Sequence, residues 1–312
     1  MAKAKAKAKA KAKAKKRTAV KRRVKVAAPP VIKIHYRNLH GTTNTPWQNA
    51  FRKYGELSLG DTSSGGFPDE MDHLHLGGSC KGAASVRGNP ITVDEVKKVQ
   101  KATGCSISVF FGDAVSGRFR FHHDLLDAGI PKLKIYSASL YGTPMWRPEV
   151  TWVAHPTDED IFRLVKHKKN DKVLFVGSMT PYRKSIITAL HSAGIEVDIV
   201  SSKYGKDLVE VSKNYSVSIG MFYEESLPRI RYFSVRLPDA LAMGLIHIEA
   251  GFDLDGYLNK DEVIQWHTVD ELVEKIKYYQ SHLKEGRDIV TLGRKVVLEN
   301  WTFNKLAERF VS

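Results

Sequence analysis

The sequence predicts an α/β protein: two doubly wound, Rossmann-like parallel sheets facing a cleft, preceded by a disordered basic tail. Three observations predict it. Short apolar stretches alternate with helix-patterned stretches through residues 31–312, as βαβ units do. Several apolar stretches end in glycine, at Gly77-Gly78, Gly112-Asp113 and Gly177, where parallel strands hand over to ligand-binding loops. A fresh strand–helix series opens at Lys172, after the segment that begins at His155-Pro156-Thr157. The expected organisation is a tail over 1–30, an N-terminal Rossmann-like domain over 31–154 and a C-terminal domain over 155–312.

Residues 1–30 hold 13 Lys and Arg and no acid. Taking those 13 from the formal net charge of +15 leaves about +2, so the body is near neutral. The alternating Ala-Lys tract has no apolar stripe to dock, and its lysines repel one another, so it is expected to stay disordered. Such a tail suits a solvated tether, a docking arm for nucleic acid or another polyanion, or a targeting element. No apolar stretch approaches the ~20 residues of a membrane span. The N-terminus lacks the apolar core of a secretory leader. Two cysteines, Cys80 and Cys105, fit free thiols in a reducing compartment better than a disulfide framework, so a cytoplasmic location is expected.

After Ala27-Ala28-Pro29-Pro30 the first strand is expected at 31–36, then a short helix over 47–54 and a loop over 60–68 rich in Gly, Ser and Asp. A strand over 72–76 follows. Thr92-Val-Asp-Glu95 has capping-box spacing and starts a helix that Gly104 stops. Strands at 106–111, 134–136 and 150–153 flank a helix over 119–128. The second series reads strand 173–177, helix 182–193, strand 195–200, helix 206–213, strand 216–219, helix 237–243, strand 245–249 and strand 263–266. Thr268-Val-Asp-Glu271 is a second capping-box pattern, opening a helix to about residue 283 with Leu272, Ile276 and Tyr279 on one face. Helices over 287–299 and 303–311 complete the chain.

Two segments carry chemistry. In FVGSMTPYRKSII, residues 175–187, a strand ends, the chain turns at Gly177 and Ser178, and a helix starts near Pro181. Free amides at that start suit an anionic oxygen. Arg183 offers a fork for a diphosphate and Lys184 a point charge. The bland alternative is an ordinary βα loop with an exposed Arg-Lys pair. The segment is neither a Walker A loop nor a GxGxxG fingerprint. In YFSVRLPDALAMG, residues 232–244, Pro238 and Asp239 occupy a first helical turn and Gly244 stops the helix. A carboxylate there is favoured by the helix dipole and suits a pair of sugar hydroxyls, with Arg236 beside it. The bland alternative is an Asp that serves only its helix.

Order and spacing of the two segments resemble a known family. Residues 150–311 are similar to the C-terminal domain of GT-B glycosyltransferases of the group 1 type, and most to the branch with the spore-maturation CgeB-like proteins. The pieces that match are TWVAHPTDEDIF, VLFVGSMTPYRKSIITALHSAGIEVDIV, SVRLPDALAMGLIHIEAG and TVDELVEKIKYYQSHLKEGRDIVTLGRKVVLENWTFNKLAERF. The resemblance implies a donor diphosphate near Arg183 and Lys184 and a donor ribose near Asp239 and Arg236. It also implies a C-terminal helix that crosses back to the first domain. The family usually has Glu where this chain has Asp239. Many retaining relatives carry another Glu eight residues earlier, where this chain has Arg231.

The first half is then expected to hold the acceptor. Asp113, at a strand end after an apolar run, is the candidate catalytic acid or base. His35, His40, His73, His75, His122 and His123 are rivals. His73 and His75 alternate on a strand and so share a face, without the further ligands a metal site needs, and His122-His123 is expected at the surface. Trp47, Tyr136, Tyr141 and Trp146 are expected to pack in the core or loops rather than stack on a sugar. No cofactor or metal ion is expected, because cations of the chain itself face the leaving diphosphate. Asp253 and Asp255 do not sit at a strand end as a DxD metal motif does. The expected activity is transfer of a sugar from a nucleoside-diphosphate donor to an acceptor hydroxyl. A DNA-modifying transferase tethered by the tail and an inactive nucleotide-binding module are the alternatives.

Overall fold

In the computed structural model of the chain the described residues are 31–38, 44–60, 67–78, 91–111, 121–138, 147–223, 236–252 and 256–312. The tail, Cys80, His40, Asp113, Tyr141, Trp146, Arg231, Asp253 and Asp255 lie outside them. Residues 32–312 form one compact unit.

The first sheet contains β1 (Ile32–Asn38), β2 (Gly55–Gly60), β3 (His73–Gly78), β4 (Ser106–Phe111), β5 (Leu133–Ser137) and β6 (Val150–Trp152), all parallel, in the order β2-β1-β3-β4-β5-β6. Its helices are α1 (Asn44–Arg52), α2 (Val93–Thr103) and α3 (Phe121–Asp127). β2 is an element the sequence pattern did not reveal. Its pairing explains Gly55: a Cβ there would lie 2.1 Å from the Ile32 carbonyl oxygen. The Thr92 capping box forms with both of its bonds, and Gly104 ends α2 at φ 67°.

The second sheet contains β7 (Val173–Val176), β8 (Val197–Val200), β9 (Val217–Ile219), β10 (Ile246–Ala250) and β11 (Ile264–Trp266), all parallel, in the order β11-β10-β9-β7-β8. The helices are α4 (Pro181–Ser192), α5 (Gly205–Ser212), α6 (Arg236–Met243), α7 (Val269–Ser281), α8 (Leu283–Asn300) and α9 (Phe303–Val311). In both sheets the first strand has its second on one side and its third on the other. The strand order therefore reverses between β1 and β3 and between β7 and β9, which is where open α/β sheets leave a crevice for ligands.

Helix α8 starts four residues earlier than the sequence suggested. Gly286 sits inside it because a Cβ there would approach Ile246 to 2.8 Å. The second capping pattern is only half realised. Thr268 accepts from the Glu271 amide, but the Glu271 carboxylate takes the His267 amide and the Lys275 ammonium instead of closing the box.

One apolar core runs from Ile34, Tyr36 and Phe110 of the first sheet to Phe175, Ile219 and Ile248 of the second. Helix α9 belongs to its first-sheet end. Phe310 stacks on Tyr136 (ring centroids 4.2 Å), Trp47 (5.4 Å) and His75 (5.4 Å). Trp47 and Tyr136 are thus core residues, as expected. The other face of the first sheet packs Leu74, Leu76, Ile107 and Val109 against Val96, Val99 and Leu125 of α2 and α3.

Candidate functional site

The buried histidines are structural first. His73 and His75 share a face of β3, as their alternation predicts. The Ser108 Oγ, opposite His75 in register, bonds His75 Nδ1 (2.7 Å) and His73 Nε2 (2.8 Å), and Ser106 Oγ bonds His73 Nδ1 (2.7 Å). Burial holds the His73 pKa down at about 4, with the Lys134 charge adding to it, and burial also pushes His75 well below its ordinary value. Both rings are therefore neutral. The same cross-strand pairing recurs between His35 and Ser58 (2.8 Å) and between His247 and Ser218 (2.8 Å). Helix α3 buries His122 completely, which corrects the expectation of a surface pair: the ring points to the core side of a helix lying on the sheet. Among the described residues no group of His, Cys, Asp or Glu is arranged to hold a metal ion.

At the second sheet's switch point the geometry is specific. The chain leaves β7 through Gly177, Ser178 and Met179 and enters α4 at Thr180-Pro181. Thr180 is the N-cap: its Oγ1 accepts from the Arg183 amide (3.2 Å) and donates to the Tyr223 carbonyl (2.9 Å), tying α4 to the loop after β9. Pro181 fills the first turn, where no amide partner is needed. Lys184 and Ser178 are exposed.

Arg183 does not reach outward as a free cation. It donates from Nη1 to the Ser178 carbonyl (2.8 Å), from Nη2 to Met221 (2.8 Å) and from Nε to Phe222 (2.9 Å). Its guanidinium lies between the rings of Phe175 (5.3 Å) and Tyr223 (5.4 Å). Gly177 makes room for it: a Cβ there would meet Phe175 at 3.0 Å and Arg183 Nη1 at 3.2 Å.

Asp239 occupies the first turn of α6 and is almost fully buried. The Thr157 hydroxyl donates to its Oδ1 at 2.7 Å. Desolvation raises its pKa to about 7, against the pull of the Thr157 bond and of the Arg236 charge. Thr157 is itself fixed, its amide bonding the Trp301 carbonyl (3.0 Å) and its carbonyl accepting from Phe303 (3.1 Å). Arg236 lies over the exposed ring of Tyr204 at 5.8 Å. Val176, Ser218, Arg236, Asp239 and His247 line a cavity of about 20 Å³ between this face of the sheet and its helices, large enough for a water. Deeper in, Ser218, His247 and Glu249 form a buried hydrogen-bonded row, His247 Nε2 meeting Glu249 Oε2 at 2.9 Å.

The structure thus gathers Gly177, Ser178, Arg183 and Lys184 at one strand end and holds Arg236 and Asp239 beside the same sheet. It removes Gly244 from that group. Gly244 lies at the far end of α6, at φ 76°, where its amide closes the helix on Leu241 and its bare Cα lies under Leu164. That is a C-cap role, required by the left-handed backbone. Sequence reasoning missed Thr157, Thr180 and Tyr223. Only Thr180 carries a local signal, a capping residue before a first-turn proline.

Residues 157–312 match the family model described as glycosyl transferase-like. In a search of curated proteins none matches the chain. Solved structures share the architecture. An alpha-glucosyltransferase in complex with UDP and a 13-mer DNA containing a central A:G mismatch superposes with TM-score 0.60 at 13% identity, over 89% of this chain and 98% of that one. The HepE protein of Anabaena, in complex with UDP and glucose, gives 0.57 at 8% identity over 89% and 98%. The sucrose-phosphate synthase of Thermosynechococcus elongatus gives 0.51 at 12% identity over 89% and 97%. At these identities the likeness is one of fold, and the two-sheet architecture is that of GT-B proteins.

Proposed function

We propose that this chain, which belongs to the glycosyl transferase-like family and is a glycosyltransferase of GT-B fold, moves a sugar from a nucleoside-diphosphate donor to an acceptor hydroxyl. The quoted motifs further suggest its CgeB-like branch. One observation carries the donor assignment: the family match spans the second sheet, whose switch point collects an exposed lysine, a capped helix start and the buried Asp239 with the Arg236 charge near it.

The donor diphosphate sits against the loops after β7 and β9, near Lys184, and its ribose hydroxyls lie toward Asp239 and Arg236. Transfer breaks the bond between the anomeric carbon and the diphosphate oxygen and forms a bond to the acceptor oxygen. The acceptor proton passes to a base on the first-sheet side, which we assign to Asp113. The charge left on the diphosphate is met by Lys184 and backbone amides, so this route calls for no metal ion. The first and second domains, taken as 31–154 and 155–312, close on each other across the 155–171 segment and exclude water. Among the described residues no helix is long and apolar enough to cross a membrane, and we assign the enzyme to the cytoplasm.

A thermal-shift screen of nucleoside diphosphates and their sugars tests the assignment. A matching donor raises the melting temperature through binding linkage, and Lys184→Ala and Asp239→Ala lose that rise. No shift with any donor would sink it. A shift without hydrolysis or transfer would instead mark an inactive nucleotide-binding module.

The charge of residues 1–30 favours a polyanionic acceptor such as DNA, held by the tail. Deleting residues 1–26 should then flatten the salt dependence of DNA binding. An unchanged slope would remove the tail from docking.

A further inference from the structure

We propose that Arg183 is a positioning residue of the donor site: it holds no phosphate itself but orients the backbone amides that do. Resting on the donor assignment above, this revises the phosphate role that sequence spacing suggests for the side chain. Ser178 lies in the loop leaving β7, and Met221 and Phe222 lie in the loop leaving β9. These strands are neighbours on either side of the point where strand order reverses. Arg183 ties both lips of that crevice, through the Ser178 carbonyl on one side and the Met221 and Phe222 carbonyls on the other. Its edge is committed to these oxygens and its faces to Phe175 and Tyr223.

The consequence follows from peptide geometry. In a trans peptide the C=O and the next residue's N–H point in opposite directions, and no described peptide is cis. Each carbonyl turned onto the guanidinium therefore turns the following amide away from it. The amides so directed are those of Met179, Phe222 and Tyr223. Among the described residues none of the three donates a hydrogen bond to the protein. Met179 and Tyr223 are 40% and 45% exposed, so the loops that carry these amides reach solvent. A charge-assisted bond on each carbonyl also polarises its peptide and makes the amide a better donor. Successive amides of this kind make an anion-binding concavity, and a diphosphate is the anion that the donor brings.

A lysine cannot replace the arginine here. Its ammonium is a point charge on a flexible stem and does not reproduce a planar fork on three carbonyls, although it binds phosphate well. Arg183→Lys therefore separates the two roles. Wild type, Arg183→Lys and Arg183→Ala are compared for affinity toward UDP and inorganic pyrophosphate by calorimetry. Without ligand, the same proteins are compared for hydrogen exchange of the Gly177 and Gly220 amides, which bond Val200 and Ile248 at the feet of the two loops. The expected result is at least a tenfold loss of affinity for both probes, equal for Lys and Ala within about twofold, together with at least tenfold faster exchange in both variants. An Arg183→Lys that stays within about twofold of wild type while Arg183→Ala loses affinity would overturn the proposal. So would unchanged exchange in both. Should Arg183→Ala not fold, Arg183→Gln takes its place. Wild-type protein that binds neither probe overturns the donor assignment instead, and the exchange arm still decides whether Arg183 holds the loops.

Discussion

Asp239→Asn turns the buried acid of α6 into a measurement of proton linkage. Burial lifts the Asp239 pKa from 3.8 to about 7 in the folded protein, the nearby Asp158 adding slightly and Thr157 and Arg236 opposing. A carboxyl whose folded pKa exceeds its unfolded one binds more protons when folded. Its contribution to stability is therefore complete below about pH 4 and is lost as pH rises through about 7. Over the interval from about pH 5 to about pH 8.5 the loss is roughly 2–3 kcal/mol. Asn does not titrate, and its side-chain carbonyl still accepts from Thr157. Urea unfolding at the two pH values is the assay. Wild type should lose roughly 2–3 kcal/mol more than Asp239→Asn across the interval. Parallel pH profiles for the two proteins would refute the linkage and leave Asp239 a plain hydrogen-bond acceptor.

Ser108→Ala strips a partner from both His73 and His75 inside the sheet, and should cost about 1–3 kcal/mol for each nitrogen left bare, measured by urea unfolding. Relative to His73→Asn, wild-type protein should lose stability as pH falls from about 6.5 toward about 4, because the folded His73 pKa lies below its unfolded value; the Asp239 contribution is common to both proteins, so superimposable acid titrations would contradict the assignment. Phe310→Ala removes a ring stacked on Tyr136, Trp47 and His75, and should cost about 3–5 kcal/mol by thermal or chemical denaturation, with faster hydrogen exchange confined first to α9. Gly293→Ala should destabilise although alanine favours helices by about 1 kcal/mol, since the new Cβ would lie 2.1 Å from the Glu262 carbonyl oxygen; a rise in melting temperature would contradict the packing.

What the sequence made legible was local. The Thr92 box, the Gly104 and Gly244 stops, the helix start near Pro181 and the alternation of His73 with His75 depend on neighbours a few residues apart, and they appear where spacing put them. What stayed hidden depends on partners far along the chain. Gly286 and Gly293 look like helix breakers until Ile246 and Glu262 are seen pressing on them. Strand β2 has one leucine packed on the core, Leu57, one exposed, Leu59, and little else to mark it, and its existence rests on pairing with β1. The Glu271 carboxylate fits a capping box on paper, but a nearer competition from His267 and Lys275 takes it. For the site, the spacing of Gly177 and Arg183 was visible and their task was not. Two of the three carbonyls that hold Arg183 lie 38 and 39 residues away, and the hydroxyl that holds Asp239 lies 82 residues before it.

The seat of Phe310 against α1, β3, β4 and β5 also bears on synthesis. The aromatic layer of the first sheet is closed by a ring that emerges from the ribosome well over two hundred residues after Tyr36. Until then the nascent chain carries Trp47, Phe110 and Tyr136 with one side uncovered, a surface for a chaperone to hold or for a neighbouring chain to capture. The first half of the polypeptide is made early and finished last.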